Sequence, residues 1–152
     1  MNWILFALAG ALSASLGTIF AKMGLLKNID SNVLTTVRGL VMAILLLLFT
    51  FTLGKFKIES IKDFDTRTWV FVILSGIMGA LSWLFFYYAL AHGPAAGVTA
   101  VDKLSVVITI VLAFIILGES FSLQVGIGAL LIGLGVLLVA LPWSAIKSLF
   151  GL

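Results

Sequence analysis

Residues 68–91 read TWVFVILSGIMGALSWLFFYYALA, twenty-four positions without a charged side chain. A helix needs about 20 mostly apolar residues to cross the hydrocarbon core of a bilayer, and this stretch supplies them. Four others are of the same kind: Trp3 to Ala21, about Asn32 to Leu53, Pro94 to Leu117, and Ser122 to about Leu141. Membrane-spanning barrel strands are shorter, about ten residues of strict alternation. Inside a bilayer every backbone polar group must be paired within the chain, so these stretches are read as helices. The expected fold class is an all-α integral membrane protein, a bundle of five transmembrane helices in one domain covering residues 1–152.

Composition agrees. Hydrophobic residues make up 62% of the chain, charged residues 10%, and the mean hydropathy is +1.30. A soluble domain carries roughly a quarter of its residues as charges, so this chain cannot cover a globule with a water-compatible surface. The first apolar stretch lacks the basic n-region and small-residue cleavage site of a signal peptide, and it is read as a retained helix. With no cysteine, disulfides and thiolate metal sites are excluded. The net charge of +3 suits contact with anionic lipid head groups and carries no argument for nucleic acid.

The connections are short. Met23 to Ser31 joins the first two helices, and the polar segment Gly54 to Arg67 joins the second and third. His92-Gly93-Pro94 is a turn in which glycine ends one helix and proline opens the next. At Gly118-Glu119-Ser120, Gly118 closes the fourth helix and Ser120 or Ser122 caps the fifth. Glu119 is suited to the N-terminus of that last helix.

Loop lysines and arginines set orientation. Lys55, Lys57, Lys62 and Arg67 lie on the side of the N-terminus. Lys22, Lys27 and Lys147 lie opposite, joined by Arg38 and Lys103 if those snorkel. The balance is nearly even, which fits either one weakly specified orientation or insertion both ways round. Two antiparallel copies of a five-helix unit would give ten helices with inverted symmetry.

Ionisable side chains inside a bilayer cost a few kcal/mol each and call for an explanation. Lys22, Arg38, Asp102 and Lys103 all fall in the half of the membrane opposite the N-terminus. Helical spacing adds polar stripes: Ser15, Thr18 and Lys22; Ser75, Gly79 and Ser82 with Trp83 beside them; and Asp102, Ser105 and Thr109. Such stripes line a water-accessible path, or they reflect hydroxyls bonded back to their own helix and small residues at helix contacts. Asp102 can join Arg38 or Lys22 in a structural ion cluster, or it can serve a substrate or proton site. Trp83, Tyr87 and Tyr88 suit either a cavity wall or an interfacial belt. The substrate-path candidates are Lys22, Arg38, Ser82, Trp83, Tyr87, Asp102, Lys103 and Ser105. No phosphate loop, metal-ligand spacing or nucleophile with a partner base occurs, so neither an enzyme nor a cofactor is expected.

The run Tyr88-Ala-Leu-Ala-His-Gly-Pro-Ala-Ala-Gly-Val-Thr-Ala-Val-Asp-Lys-Leu-Ser-Val-Val resembles the EamA-type domain of the drug/metabolite transporter superfamily. So do Leu117-Gly-Glu-Ser and the glycine-rich last helix. The likeness is to short five-helix bacterial and archaeal members, and it extends to Phe20-Ala-Lys-Met-Gly, Thr35-Thr-Val-Arg and Ser82-Trp-Leu. Ala100 stands where relatives often place proline before the Val-Asp-Lys run, which weakens the case for a kink in the fourth helix. The resemblance implies alternating-access transport of a small metabolite in a prokaryotic cytoplasmic membrane. The chain would then be the half-unit of a ten-helix inverted-repeat transporter. The last helix is also similar to the dimerisation stripe of the small multidrug resistance transporters, with Gly128, Leu131, Ile132 and Gly135 as the dimer contact. The membrane-embedded glutamate those transporters carry in helix one has no counterpart between Met1 and Ala21. An antiparallel homodimer is the leading expectation. The alternative is an obligate subunit of a heterodimeric transporter or flippase, or a membrane protein that transports nothing.

Overall fold

The computed structural model describes residues 2–27, 29–55, 61–62 and 64–141. The described residues are helical apart from turns and loops, and five stretches are long and apolar enough to cross a membrane. Helix α1 spans Asn2–Leu25, α2 Ser31–Thr52 and α3 Thr66–His92. The fourth stretch comprises α4 (Ala95–Asp102), α5 (Leu104–Leu112) and a π-helical turn, Ala113–Leu117. Helix α6 is Leu123–Ala140. At 1.5 Å rise per residue, the 24 residues of α1 reach about 36 Å, enough for the roughly 30 Å hydrocarbon core. These helices are apolar around most of their circumference, as lipid-facing helices are. Large side chains such as Phe6, Phe51, Phe85 and Leu123 stand exposed. The chain is an integral membrane protein.

Capping residues set several helix ends. Asp30 opens α2, its carboxylate accepting from the backbone N–H of Asn32 at 2.8 Å and Val33 at 3.2 Å. Asp65 opens α3 through the N–H of Thr68 at 2.8 Å, and Ser122 opens α6 through the N–H of Val125 at 3.2 Å. Each satisfies a donor that the first helical turn leaves without a partner. Gly54 closes α2 with φ +64°. The Gly54 N–H donates to the Phe51 carbonyl at 2.9 Å and the Lys55 N–H to that of Thr50 at 3.2 Å. That pair of bonds is the Schellman arrangement. Gly118, at φ +66°, ends the π-helical turn as its position in the sequence leads one to expect.

The chain divides into two compact units, residues 1–92 and 93–152. In the first, α2 packs along α3 and α1 touches both. Among its described residues the buried ones are Ala21 and Leu25 from the end of α1, Ser31 and Thr35 from the start of α2, and Tyr87 and Leu90 from the end of α3. Because consecutive helices run in opposite directions, all six lie at the same end of the unit. Among the described residues, burial is therefore concentrated at the end away from the N-terminus. There Leu34 approaches α1 so closely that a β-carbon on Gly24 would stand 3.0 Å from its Cδ1.

In the second unit α6 packs along α4 and α5, and Val136 is its buried residue among those described. The fourth apolar stretch is one membrane span in length and hydropathy but not one regular helix. It tightens at Lys103, where the Lys103 N–H donates to Ala100 at 3.0 Å and the Val106 N–H to Lys103 at 3.1 Å, both i to i−3 bonds. It widens to π spacing from Ala113 onward. The interruption falls at the Val-Asp-Lys run without a proline to cause it. Lys57, Glu59, Asp63 and Lys147 lie outside the described residues.

Candidate functional site

The end of the first unit that carries its buried residues also carries its intramembrane cations. Arg38, on the second turn of α2, places its guanidinium carbon 5.2 Å from the ring centre of Trp83 and 5.1 Å from that of Tyr87. Trp83 and Tyr87 are four residues apart on α3 and so share a face. Tyr87 is only 2% exposed, and its ring meets Phe86 edge-on at 5.2 Å. Arg38 also approaches α1: a β-carbon built on Gly17 would lie 3.5 Å from Nη2. The guanidinium thus bears on all three helices of the unit. An arginine keeps its charge in proteins, and each aromatic face returns about 0.5–2 kcal/mol of cation–π attraction. Within this unit, among the described residues, no carboxylate pairs with it.

Lys22 acts differently. Its Nζ donates to the carbonyl oxygen of Leu90 at 2.7 Å, in the last turn of α3. A cation there complements the negative end of the helix and satisfies a terminal carbonyl.

Between α2 and α3 lies a cleft of about 450 Å³ lined by Thr35, Thr36, Gly39, Gly76, Gly79, Ala80, Trp83 and Leu84. Trp83 belongs to both features, forming a wall of the cleft and one of the two rings against Arg38. Of the glycine-containing stripe on α3, Gly79 reaches the cleft, whereas Ser75 does not line it and Ser82 is exposed. On α1 the hydroxyls of Ser15 and Thr18 donate to the carbonyls of Ala11 and Ala14 at 2.9 and 3.0 Å. Those two bonds are the local back-bonding of short polar side chains in apolar helices.

The aromatic residues separate by environment. Tyr87 faces the unit's interior beneath Arg38, while Tyr88 is exposed and lies against His92 with ring centres 4.5 Å apart and planes tilted by 38°. The His92 Nδ1 bonds the Tyr88 carbonyl at 2.8 Å, so that nitrogen carries the proton.

In the second unit Asp102 pairs with its neighbour Lys103, Nζ to Oδ2 at 3.2 Å. Residues adjacent on a regular helix point about 100° apart. The long lysine stem and the tightened backbone at Lys103 bring the two charges together. The aspartate is 35% exposed and the lysine 55%. Ser105 is exposed in the first turn of α5. On α6, Leu131 is 63% and Ile132 37% exposed, and a β-carbon on Gly128 or Gly135 would meet nothing within 4 Å. This stripe is open within its own unit. Gly126 is the exception on α6, since an added β-carbon there would stand 2.8 Å from the ring of Phe121.

Sequence spacing had not singled out the α2 wall of the cleft. Thr35 precedes Arg38 by three residues and shares its face, a relation that would have located it. The Leu90 carbonyl gives no signal in sequence, because a backbone atom has no residue type.

The EamA-like transporter family matches residues 1–141 of the chain. An uncharacterised transporter encoded in the cobO 3′ region of a Sinorhizobium species is 34% identical over 139 residues, 91% of this chain and 96% of that protein. An uncharacterised protein of Methanocaldococcus jannaschii is 27% identical over 139 residues, with the same shares of each chain covered. No solved structure matches.

Proposed function

Because this chain belongs to the EamA-like transporter family and is a membrane transporter, we propose that it moves a small metabolite by alternating access as an antiparallel homodimer. The observation that carries this reading is Arg38, a permanent charge inside a membrane-spanning helix, held by Trp83 and Tyr87 beside a cleft of ligand size. Intramembrane charges usually mark substrate or ion pathways. In the first unit the path residues are Lys22, Arg38, Ser82, Trp83 and Tyr87. In the second they are Asp102, Lys103 and Ser105.

Three features support the pairing of two copies. Five spans are an odd number, and inverted repeats of such a unit are a common transporter design. The relatives are equally short, since the matched 139 residues make up 96% of each. The α6 stripe of Gly128, Leu131, Ile132 and Gly135 is uncovered within its unit and has the small-residue character of close helix contacts. In this reading the near-even spread of loop lysines and arginines lets the chain insert both ways round.

The absence of cysteine makes orientation directly measurable. Ser60→Cys introduces a single thiol in the polar segment between the second and third spans. Labelling by an impermeant thiol reagent is compared in intact cells and after lysis. Roughly half of the thiol labelled before lysis is the expected result. All-or-none labelling would rule out the antiparallel homodimer and direct attention to an oppositely oriented partner subunit.

A further inference from the structure

Transport by alternating access, the reading on which this inference rests, needs a path that closes at one end at a time. The two ends of the first unit differ. Among the described residues every buried position of α1, α2 and α3 lies at the end opposite the N-terminus, and none falls within residues 3–20, 36–52 or 66–86. Two ties hold that end. Lys22 donates to the Leu90 carbonyl at 2.7 Å, and Arg38 on α2 lies 5.2 Å from the ring centre of Trp83 and 5.1 Å from that of Tyr87 on α3. The same guanidinium comes close to α1 at Gly17. Along the α2–α3 cleft, Thr35 is buried and Trp83 and Leu84 are part-buried, whereas Gly76, Gly79 and Ala80, farther from this end on α3, are exposed.

Titration does not undo the Arg38 contact, because a guanidinium keeps its charge in proteins. Asp30, the acid at this end, sits about two turns before Arg38, where its carboxylate accepts from the N–H groups of Asn32 and Val33. Release of Arg38 therefore means moving a ring. Tyr87 is buried and meets Phe86 edge-on, which leaves Trp83 as the freer of the two. Trp83 is part-buried and forms a wall of the cleft, so its ring meets whatever enters there. A ligand shifts a conformational equilibrium only through contacts that differ between the two states. Trp83 supplies such a contact, since it touches both the cleft and the cation.

We propose that Arg38, Trp83 and Tyr87 form a latch that closes the end of α1–α3 opposite the N-terminus, and that Trp83 couples this latch to occupancy of the α2–α3 cleft. Arg38 gates the path in this role without touching the cargo. Bulk that enters the cleft displaces the Trp83 ring, the guanidinium loses one of its two faces, and the end of α2 parts from α1 and α3.

The test is a pair of distances measured by pulsed electron resonance on the full chain in phosphatidylcholine nanodiscs. Spin labels go on Met23→Cys with Ala89→Cys at the latched end, and on Phe6→Cys with Val72→Cys at the other, all four positions being exposed. Labelled chains are diluted with excess cysteine-free chain, so that only distances within one copy are read. The wild-type Met23–Ala89 distance should be mostly short. Arg38→Gln should lower the ratio of short to long distances about tenfold, the effect of losing attraction to two ring faces, and Trp83→Leu about threefold. Arg38→Lys, which keeps the charge but lays no plane on a ring, should fall between wild type and Arg38→Gln. Gly79→Leu puts bulk into the cleft one turn from Trp83, where a β-carbon meets nothing within 4 Å, and should lower the ratio with Arg38 intact. Gly10→Leu, equally unobstructed but on α1, should leave it unchanged.

A wild-type distribution dominated by long distances, or an unchanged ratio in both Arg38→Gln and Trp83→Leu, would overturn the latch. Lengthening of the Phe6–Val72 distance together with the Met23–Ala89 distance would overturn it too, by showing that Arg38 braces the unit as a whole. An unchanged ratio in Gly79→Leu would overturn the coupling through Trp83. Should Arg38→Gln fail to fold, Trp83→Leu and Gly79→Leu still decide the matter, because neither removes the cation. The Ser60→Cys labelling fails or succeeds separately. Half labelling with unmoved distances removes the latch alone, and all-or-none labelling with the expected shifts removes the homodimer alone.

Discussion

The Lys22 ammonium donates to the Leu90 carbonyl oxygen at 2.7 Å, tying the end of α1 to the last turn of α3. Four residues beyond Leu90 stands Pro94, which has no N–H, so the partner a continuing helix would supply is missing. A lysine from another helix fills that role. Leu90 itself is 0% exposed, so the bond joins two helix ends at a buried residue.

Lys22→Met keeps the apolar stem and removes the donor. It should destabilise the protein by about 1.5–3 kcal/mol, the range for hydrogen bonds to charged groups. Thermal unfolding in detergent would detect this, and Lys22→Arg should recover part of the loss.

The ring of Tyr87 matters to Arg38 more than its hydroxyl does. Tyr87→Phe preserves the face 5.1 Å from the guanidinium and should change stability by less than about 0.5 kcal/mol. Tyr87→Leu removes that face and should cost about 1–2 kcal/mol. Chemical denaturation of the two variants side by side checks the difference.

Gly54 occupies the left-handed region at φ +64°, with space for a β-carbon but not the backbone preference for one. Gly54→Ala should therefore cost about 1–2 kcal/mol through backbone strain alone. Gly39→Ala, in a right-handed helical position with open space around it, serves as the control and should be neutral or slightly stabilising.

The Thr68 side chain and backbone N–H both hydrogen-bond the Asp65 carboxylate and hold its pKa below the ordinary aspartate range. A depressed carboxyl pKa contributes stability that is present above the unfolded value, near 3.9, and is lost as pH falls through the lower folded value. An NMR titration should show Asp65 ionising below a reference aspartate. Thr68→Val should move it back upward and fray the start of α3 at neutral pH.

If α6 joins two copies, bulk on its open stripe should prevent that contact without disturbing the unit itself. Gly135→Leu adds a side chain where a β-carbon meets nothing within 4 Å. Cross-linking in native membranes should show dimer replaced by monomer, whereas Gly10→Leu, equally unobstructed but on α1, should leave the dimer intact.

The five spans were legible because a bilayer imposes a length and an apolarity on each, and runs such as residues 68–91 meet both. Turn chemistry was legible for a similar reason. Gly118 and Ser122 close and open helices through their own backbone and side-chain geometry, so the string of residues carries the information. Helix α4–α5 was less so: Ala100, Val101 and Asp102 read as ordinary helix, and the tightening at Lys103 has no residue signature.

Sequence by itself determined the membrane class, the number of spans and the presence of costly charges at Lys22, Arg38, Asp102 and Lys103. These follow from the chemistry of single residues and their local spacing. Only the tertiary structure decided what those charges touch. Arg38 met Trp83 and Tyr87 from more than forty positions away, and Lys22 met a backbone carbonyl 68 residues on. Asp102 bonded its own neighbour. Such pairings depend on how helices pack and rotate against one another, a property of several segments together that no single segment encodes.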